Sequence, residues 1–78
     1  MSKTAERLRS RIRARHALPP PEQRAALRKG AGLTLQEVAS AVGVTRGAVW
    51  HWEQGSREPR GDLLNRYLLA LNVMDESA

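Results

Sequence analysis

The fold is decided by residues 35–54, which read LQEVASAVGVTRGAVWHWEQ. Thr34 directly precedes this stretch, and Glu37 lies three positions after Thr34. This is the spacing of a capping box at a helix start. Gly43 predicts the end of that helix, because glycine adopts a positive φ at low cost, and Thr45 suits the N-cap of the next helix. The stretch therefore predicts two short helices joined by a tight turn that contains glycine, which is a helix-turn-helix arrangement.

One face of this helix pair is apolar. The side chains that would face inward are those of Val38, Val42, Val44, Val49 and Trp52. Ala39 lies where the second helix would cross the first, and a larger side chain there would push the two helices apart. The pattern predicts the core of a small helical bundle.

Prolines and glycines divide the rest of the chain. Three consecutive prolines at 19–21 end whatever precedes them, since proline lacks an N–H and disfavours helix in the residue before it. Further helices are predicted over about residues 21–29 and 60–71, where apolar residues recur at helical spacing. We expect an all-α fold in three parts: a basic N-terminal arm (residues 1–20), a small four-helix domain (21–73) and a C-terminal tail (74–78).

Positive charge is concentrated near the N-terminus. Residues 1–30 carry nine Lys or Arg against two Glu, whereas residues 31–78 carry four Arg against six acids. A basic arm on a small domain favours a polyanionic partner, nucleic acid before a membrane, with a solvated tail as the alternative. Leu8 and Ile12 have helical spacing, which allows a helix in this arm, but so thin an apolar stripe gains little from packing. We expect this arm to be frayed or disordered without a partner.

Several function classes find no support in the sequence. The chain has no cysteine, which removes disulfides, thiolate zinc sites and cysteine nucleophiles. Its longest apolar run, residues 67–71, is far shorter than the ~20 residues that span a bilayer, and no signal peptide is visible. The two histidines, His16 and His51, belong to no metal-ligand or catalytic spacing. We expect no catalytic residue, no metal, no cofactor and no membrane partner, and therefore a soluble, cytoplasmic protein that is not an enzyme.

Residues 32–59 resemble the lambda-repressor-like, XRE/Cro-type helix-turn-helix domain. The residues that match that pattern in register are Ala39, Gly43, Val44, Val49, Trp52, Glu53, Gly55 and Pro59. The resemblance extends over about residues 22–73. It implies binding to double-stranded DNA, usually for transcriptional control in phages, plasmids and chromosomes, and hence an association with the nucleoid.

The second helix of the motif is expected to read bases. At 100° per residue, Val49 and Trp52 lie on one side of this helix while Gly47, Trp50 and His51 lie on the other. The predicted base-reading residues are Arg46, Gly47, Trp50 and His51, because recognition helices read base edges chiefly through their N-terminal part. Arg46 is the first choice, bidentate to a guanine, with a phosphate contact or a solvated side chain as the alternatives. Trp50 is expected against a thymine methyl or a sugar, or packed on the arm or another subunit.

Phosphate contacts are expected around the start of the first motif helix and after the second. The predicted residues are Thr34, Gln36, Thr45, Gln54, Arg57 and Arg60. The family usually has glutamine where this chain has Leu35, so the side-chain clamp passes to Gln36 or is lost. The resemblance also implies a structural ion pair between Arg28 and Glu53, with two solvated charges as the alternative.

The leading interpretation is a sequence-specific DNA-binding regulator, a repressor of the phage or mobile-element type. We expect two copies to bind a palindromic site with half-sites about 34 Å apart. Only five residues follow Val73, so this homodimer is expected to be weak, arm-mediated or DNA-dependent. Two alternatives remain open: a protein-interaction module, such as an antitoxin or antirepressor whose basic arm docks on an acidic partner, and an architectural or recombination accessory factor.

Overall fold

A computed structural model describes residues 2–77, and over that range the chain forms helices and no strands. The helices are α1 (Lys3–Ala17), α2 (Pro21–Gly30), α3 (Leu35–Val42), α4 (Arg46–Gln54) and α5 (Asp62–Glu76). The predicted all-α fold is confirmed, and a helical arm precedes the four helices expected for the domain. Met1 and Ala78, the first residue of the predicted arm and the last of the predicted tail, lie outside the described residues.

The predicted helix ends of the motif are confirmed. Thr34 forms the capping box: its hydroxyl accepts a bond from the Glu37 backbone N–H, and the Glu37 carboxylate accepts one from the Thr34 N–H. Thr45 caps α4 by accepting a hydrogen bond from the Ala48 N–H at 3.2 Å. Gly43, with φ of 86°, ends α3 in the left-handed conformation that glycine adopts without a steric penalty. These local signals fix the bounds of both motif helices.

The core lies between the motif and α5. Val38, Ala39 and Val42 of α3 are buried together with Val49 and Trp52 of α4, as predicted. Val44, in the turn, is half-buried at the rim of this cluster. The α5 side chains that close the core are Leu64, Tyr67, Leu71 and Met74. The Trp52 and Tyr67 rings pack with their centroids 4.7 Å apart. The motif is therefore held by a single apolar cluster.

The last helix differs from its predicted bounds. It begins at Asp62 and continues to Glu76, whereas the sequence pattern predicted about residues 60–71. Met74 lies one turn beyond Leu71 on the same face and is only 4% exposed. Neither glycine nor proline follows Leu71 to stop the helix. The core thus extends into the residues that were expected to form the tail.

The N-terminal arm also differs from the expectation of a frayed or disordered segment. It forms a 15-residue helix that begins at a Ser2 cap and packs against α5. Glu6 in the first turn and Arg15 near the end suit the helix dipole, and arginine and alanine are good helix formers. No side chain of α1 is buried. Local propensity and capping therefore account for this helix better than packing does.

Candidate nucleic-acid interface

The α4 helix has one inner and one outer face. Val49, Trp52 and Glu53 are buried against the rest of the domain. On the outer face, Arg46, Gly47 and Gln54 are exposed, Trp50 is 47% exposed and His51 is half-buried. The predicted orientation of this helix is confirmed. An exposed indole on a helix this small is not explained by folding, because large apolar side chains in the open usually mark a contact site.

The outer face of α4 is continuous with the start of α3. Arg46, Gly47 and Trp50 border a shallow notch of about 220 Å³, and Leu35 of α3 forms its other wall. Beside it, a depression of about 570 Å³ is bordered by Arg46 of α4, by Gln36 of α3 and by Thr34, the N-cap of α3. The structure thus brings together residues that the sequence assigned to base reading and to phosphate contact.

The polar side chains of this surface keep hydrogen-bonding capacity toward a ligand. The Thr34 and Thr45 hydroxyls accept bonds from backbone N–H groups in their caps, and each hydroxyl proton can still be donated. The Gln36 amide donates one of its two protons to Ser40 Oγ at 3.1 Å. His51 Nδ1 lies 2.7 Å from Ser56 Oγ, so Nε2 is the ring nitrogen that remains for a ligand. The surface can therefore offer several donors to an anion.

The remaining predicted contact residues lie at the other end of α4. Gln54, Arg57 and Arg60 are exposed there, at or beyond the helix end. Gly55, with φ of 76°, terminates α4, and a Cβ at this position would be 3.0 Å from Pro21 Cγ. Glycine is thus required at this end of α4 both for its backbone angle and for the close approach of α2.

Two arginines of α2 hold the inner side of α4. Arg28 is bidentate to Glu53, with Nε 2.7 Å from Oε2 and Nη2 3.0 Å from Oε1, and its Nη1 donates to the Leu33 carbonyl. The Glu53 side chain is 4% exposed and the Arg28 side chain 13%. The hydrogen bond to Glu53 raises the pKa of the Arg28 guanidinium. The expected partners thus form a charge-assisted pair that joins α2 to α4.

Arg24 is a residue that sequence reasoning missed. It is only 4% exposed, and its Nη1 donates to the Trp52 carbonyl at 2.8 Å, which lies in the last turn of α4. Carbonyls in that turn have no partner within the helix, so Arg24 satisfies one of them and complements the negative end of the dipole. Its fork also binds Glu58, and its Nε donates to the Pro19 carbonyl. The available signal was the four-residue spacing to Arg28, which places both arginines on one face of α2.

Tyr67 of α5 is close enough to both ion pairs for their charges to act on its phenol. Its hydroxyl is buried without a hydrogen-bond partner among the described residues. Burial raises the pKa of Tyr67 to about 12, and the Glu53 charge adds to the increase while Arg24 and Arg28 oppose it. The pKa of Tyr67 therefore depends first on its burial and then on the charges of the two ion pairs.

Two further features are absent from residues 2–77, a metal-binding cluster and a membrane-spanning helix. No three His, Asp or Glu side chains come close enough together to hold a metal ion there. None of the five helices combines the length and the apolar character that crossing a membrane requires.

Comparison with known proteins identifies the family. A family model described as helix-turn-helix matches residues 25–73, which run from the middle of α2 through the motif to α5. No curated protein and no solved structure gives a significant match to the chain. The family match covers more than half of the chain and agrees with the packing of α3 and α4. The chain belongs to the lambda-repressor-like helix-turn-helix family of DNA-binding domains.

Proposed function

We propose that this chain is a sequence-specific transcriptional regulator, a repressor of the phage or mobile-element type that acts on double-stranded DNA in the cytoplasm. The observation that carries the proposal is the two-sided character of α4. Its inner side is fixed by the core and two arginine clamps, while Arg46, Gly47 and Trp50 are open to the outside. A helix whose inner face is packed against the domain and whose outer face is exposed suits insertion into the major groove.

Base reading would begin with Arg46 in the first turn of α4. Its guanidinium can donate two parallel hydrogen bonds to guanine O6 and N7, the commonest specific contact in the major groove. Gly47 leaves room beside it for the DNA to approach, and Trp50 offers an apolar surface to a thymine methyl or a sugar. His51 can act through Nε2, since Nδ1 is engaged by Ser56.

Phosphate contacts would fix the register of α4 in the groove. Thr34, Gln36 and the first backbone N–H groups of α3 form one contact region, and Thr45 lies at the start of α4. Gln54, Arg57 and Arg60 supply the other region, beyond the end of α4. Contacts at both ends of a recognition helix would orient it without carrying sequence information.

We also propose that two copies bind a palindromic site, with half-sites about 34 Å apart. The surface that supports a pair is a groove of about 890 Å³ between α3 and α5. Leu69 and Val73 line it and are 66% and 62% exposed, with Glu37 and Arg66 also on its walls. Because a two-fold interface must be complementary to itself, an apolar centre that carries one acid and one base suits a second copy.

Selection from random duplexes with the wild type and with Arg46→Ala tests the reading role. We expect the wild type to enrich one consensus and the variant to lose a guanine preference, with discrimination reduced by about 1–3 kcal/mol at that position. Arg57→Ala is the matched control: it also removes one arginine, and we expect weaker binding with the same consensus.

The outcomes separate the parts of the proposal. Retention of the full consensus by Arg46→Ala would refute the reading role of Arg46. Absence of any consensus for the wild type would refute sequence-specific regulation. Titration of the selected site in a gel-shift assay addresses the pair, since a single retarded species at every protein concentration would count against two copies.

A protein-interaction module is the second candidate. It is favoured by Leu8 and Ile12, which lie one turn apart on the arginine-rich α1 and are more than half exposed. Such a stripe suits an acidic protein partner with an apolar groove, as in an antitoxin or antirepressor. Deletion of residues 1–18 discriminates, because unchanged DNA affinity and unchanged salt dependence would assign the arm to a protein partner.

A further inference from the structure

A cleft of about 480 Å³ separates α1 from the start of α5. Arg11 and Arg15 of α1 line it on one side, and Arg60, from the segment between α4 and α5, lines it on the other. Asp62 is the one carboxylate on its walls, and Ser10 and Asn65 are the neutral polar side chains. Three arginines from distant parts of the sequence therefore line one opening.

None of these three arginines forms an ion pair with an acid of residues 2–77. Among residues 2–77, the ion pairs found involve Arg24 and Arg28, and no hydrogen bond from the side chain of Arg11, Arg15 or Arg60 is found. All three residues are exposed. Like charges that face one cleft repel each other, so the arrangement is favourable only when an anion enters or water and salt screen it.

Apolar burial does not explain why α1 lies here. None of its residues is buried, and its two large apolar side chains, Leu8 and Ile12, are more than half exposed. A segment with so little packed surface gains little from docking on α5. An anion that binds Arg11 and Arg15 together with Arg60 would hold α1 against the domain. Anion binding would therefore explain the position of α1.

We propose that this cleft is a second binding site for the sugar-phosphate backbone of DNA, beyond the surface formed by α3 and α4. This inference rests on the proposed function and extends it along the duplex. Arg60 follows Arg57 and the end of α4 in sequence, so phosphate contacts would continue from the recognition helix across Arg60 to α1. Phosphate oxygens accept hydrogen bonds from arginine, serine and asparagine alike, and these are the donors that the cleft presents.

A pair of double variants tests the inference. Arg11→Ala with Arg15→Ala removes both α1 arginines of the cleft. Arg9→Ala with Arg13→Ala removes the same charge at the same spacing, from positions about 120–160° away around the helix axis. Alanine favours helix in both, so circular dichroism should show that α1 is retained.

The measurement is the dependence of DNA affinity on salt, taken on the selected site. Each phosphate contact contributes about 0.9 to the slope of log affinity against log salt. For the Arg11 and Arg15 variant we therefore expect a slope shallower by about 1.8 and an unchanged consensus. For the Arg9 and Arg13 variant we expect less than half of that change. Hydroxyl-radical footprinting of the wild type should show protected backbone that is lost when residues 1–18 are deleted.

The outcomes distinguish this inference from the function on which it rests. If the wild type selects a consensus that depends on Arg46 but the two double variants have the same salt slope, the cleft is not a DNA site and the proposed function stands. An unchanged footprint after the deletion would overturn the inference in the same way and point to an acidic protein as the partner of α1. If the wild type binds no duplex, both proposals fail.

Discussion

The arginines of α2 and those around the α1 cleft show two uses of one residue type. Arg24 and Arg28 lie against the core, and each binds a carboxylate with its fork and donates to at least one backbone carbonyl. Arg11, Arg15 and Arg60 are exposed, and no ion pair joins any of them to an acid of residues 2–77. The first set stabilises the fold, and the second is the set that we propose binds the DNA backbone.

The contrast shows that total charge is a poor guide to a binding surface. The chain has a formal net charge of +5, but part of its arginine count is already matched by acids inside the domain. What attracts a polyanion is the set of cations that the fold leaves unmatched and gathers in one place. Locating that set requires knowing which acids come close in space, and the sequence alone does not give this.

Removal of Glu53, the acid of the Arg28–Glu53 pair, should have the largest effect on stability. Glu53→Ala leaves the Arg28 guanidinium with little access to water and without its carboxylate. We expect the free energy of unfolding to fall by about 3–5 kcal/mol, the usual result of breaking a buried pair. Urea denaturation followed by circular dichroism measures it.

Glu58→Ala is the matched control for that variant. Its carboxylate is 47% exposed, and Arg24 keeps its two carbonyl partners when the acid is lost. We expect a smaller loss, of about 1–2 kcal/mol, because the carboxylate is close to water and the guanidinium keeps two partners. Equal losses in the two variants would mean that the Arg28–Glu53 pair contributes no more than a pair whose acid is half exposed.

Exchange of arginine for lysine separates the contribution of the charge from that of the planar guanidinium. Arg28→Lys keeps the charge but loses the planar fork that binds Glu53 and Leu33 at once. We expect a loss of about 1.5–3 kcal/mol in unfolding free energy, that of a hydrogen bond to a charged group. Arg60→Lys should change stability by less than about 0.5 kcal/mol and leave the salt slope of DNA binding unchanged, because lysine also binds phosphate. If Arg28→Lys left the free energy of unfolding unchanged, the planar fork would not be required for stability.

The last prediction concerns Tyr67, whose pKa is raised by burial and by Glu53 and lowered by the two paired arginines. A phenol with a pKa near 10 when unfolded and about 12 when folded favours the folded state in its neutral form. This contribution is complete below pH 10 and is lost as the pH rises through the folded pKa. We expect the Tm to fall over that alkaline range. Because the chain has one tyrosine, ultraviolet absorbance of the phenolate follows this group alone.

Tyr67→Phe is the control for the alkaline effect. It removes a buried hydroxyl that has no partner among the described residues, so we expect a gain of about 1 kcal/mol at neutral pH. The variant should also lose less stability between pH 10 and pH 12 than the wild type does. The same alkaline decline in both proteins would contradict the raised pKa of Tyr67.

The sequence predicted the parts of the fold that depend on local chemistry. Thr34 with Glu37, Thr45 and Gly43 specified the ends of the motif helices, because caps and positive φ angles act within a few residues. Helical periodicity also predicted that Trp52 is buried and Trp50 exposed. These features do not depend on where distant elements lie.

The features that were missed depend on tertiary contact. Arg24 and Glu58 are far apart in sequence, and only packing shows that the arginine also reaches the Trp52 carbonyl. The helix was expected to end near Leu71, because the burial of Met74 against the core is not visible from a terminal segment alone. Order in α1 was underestimated for a local reason, because the Ser2 cap and the helix propensity of arginine and alanine were not considered.

The contacts that hold the inner face of α4 have an evolutionary consequence. Arg24, Arg28 and the core hold this helix without help from positions 46, 47 and 50. Natural selection can therefore exchange side chains at those positions with little risk to folding. Descendants of a duplicated gene can thus diverge at the outer face of α4, where we propose that DNA is read, while inheriting one scaffold unchanged.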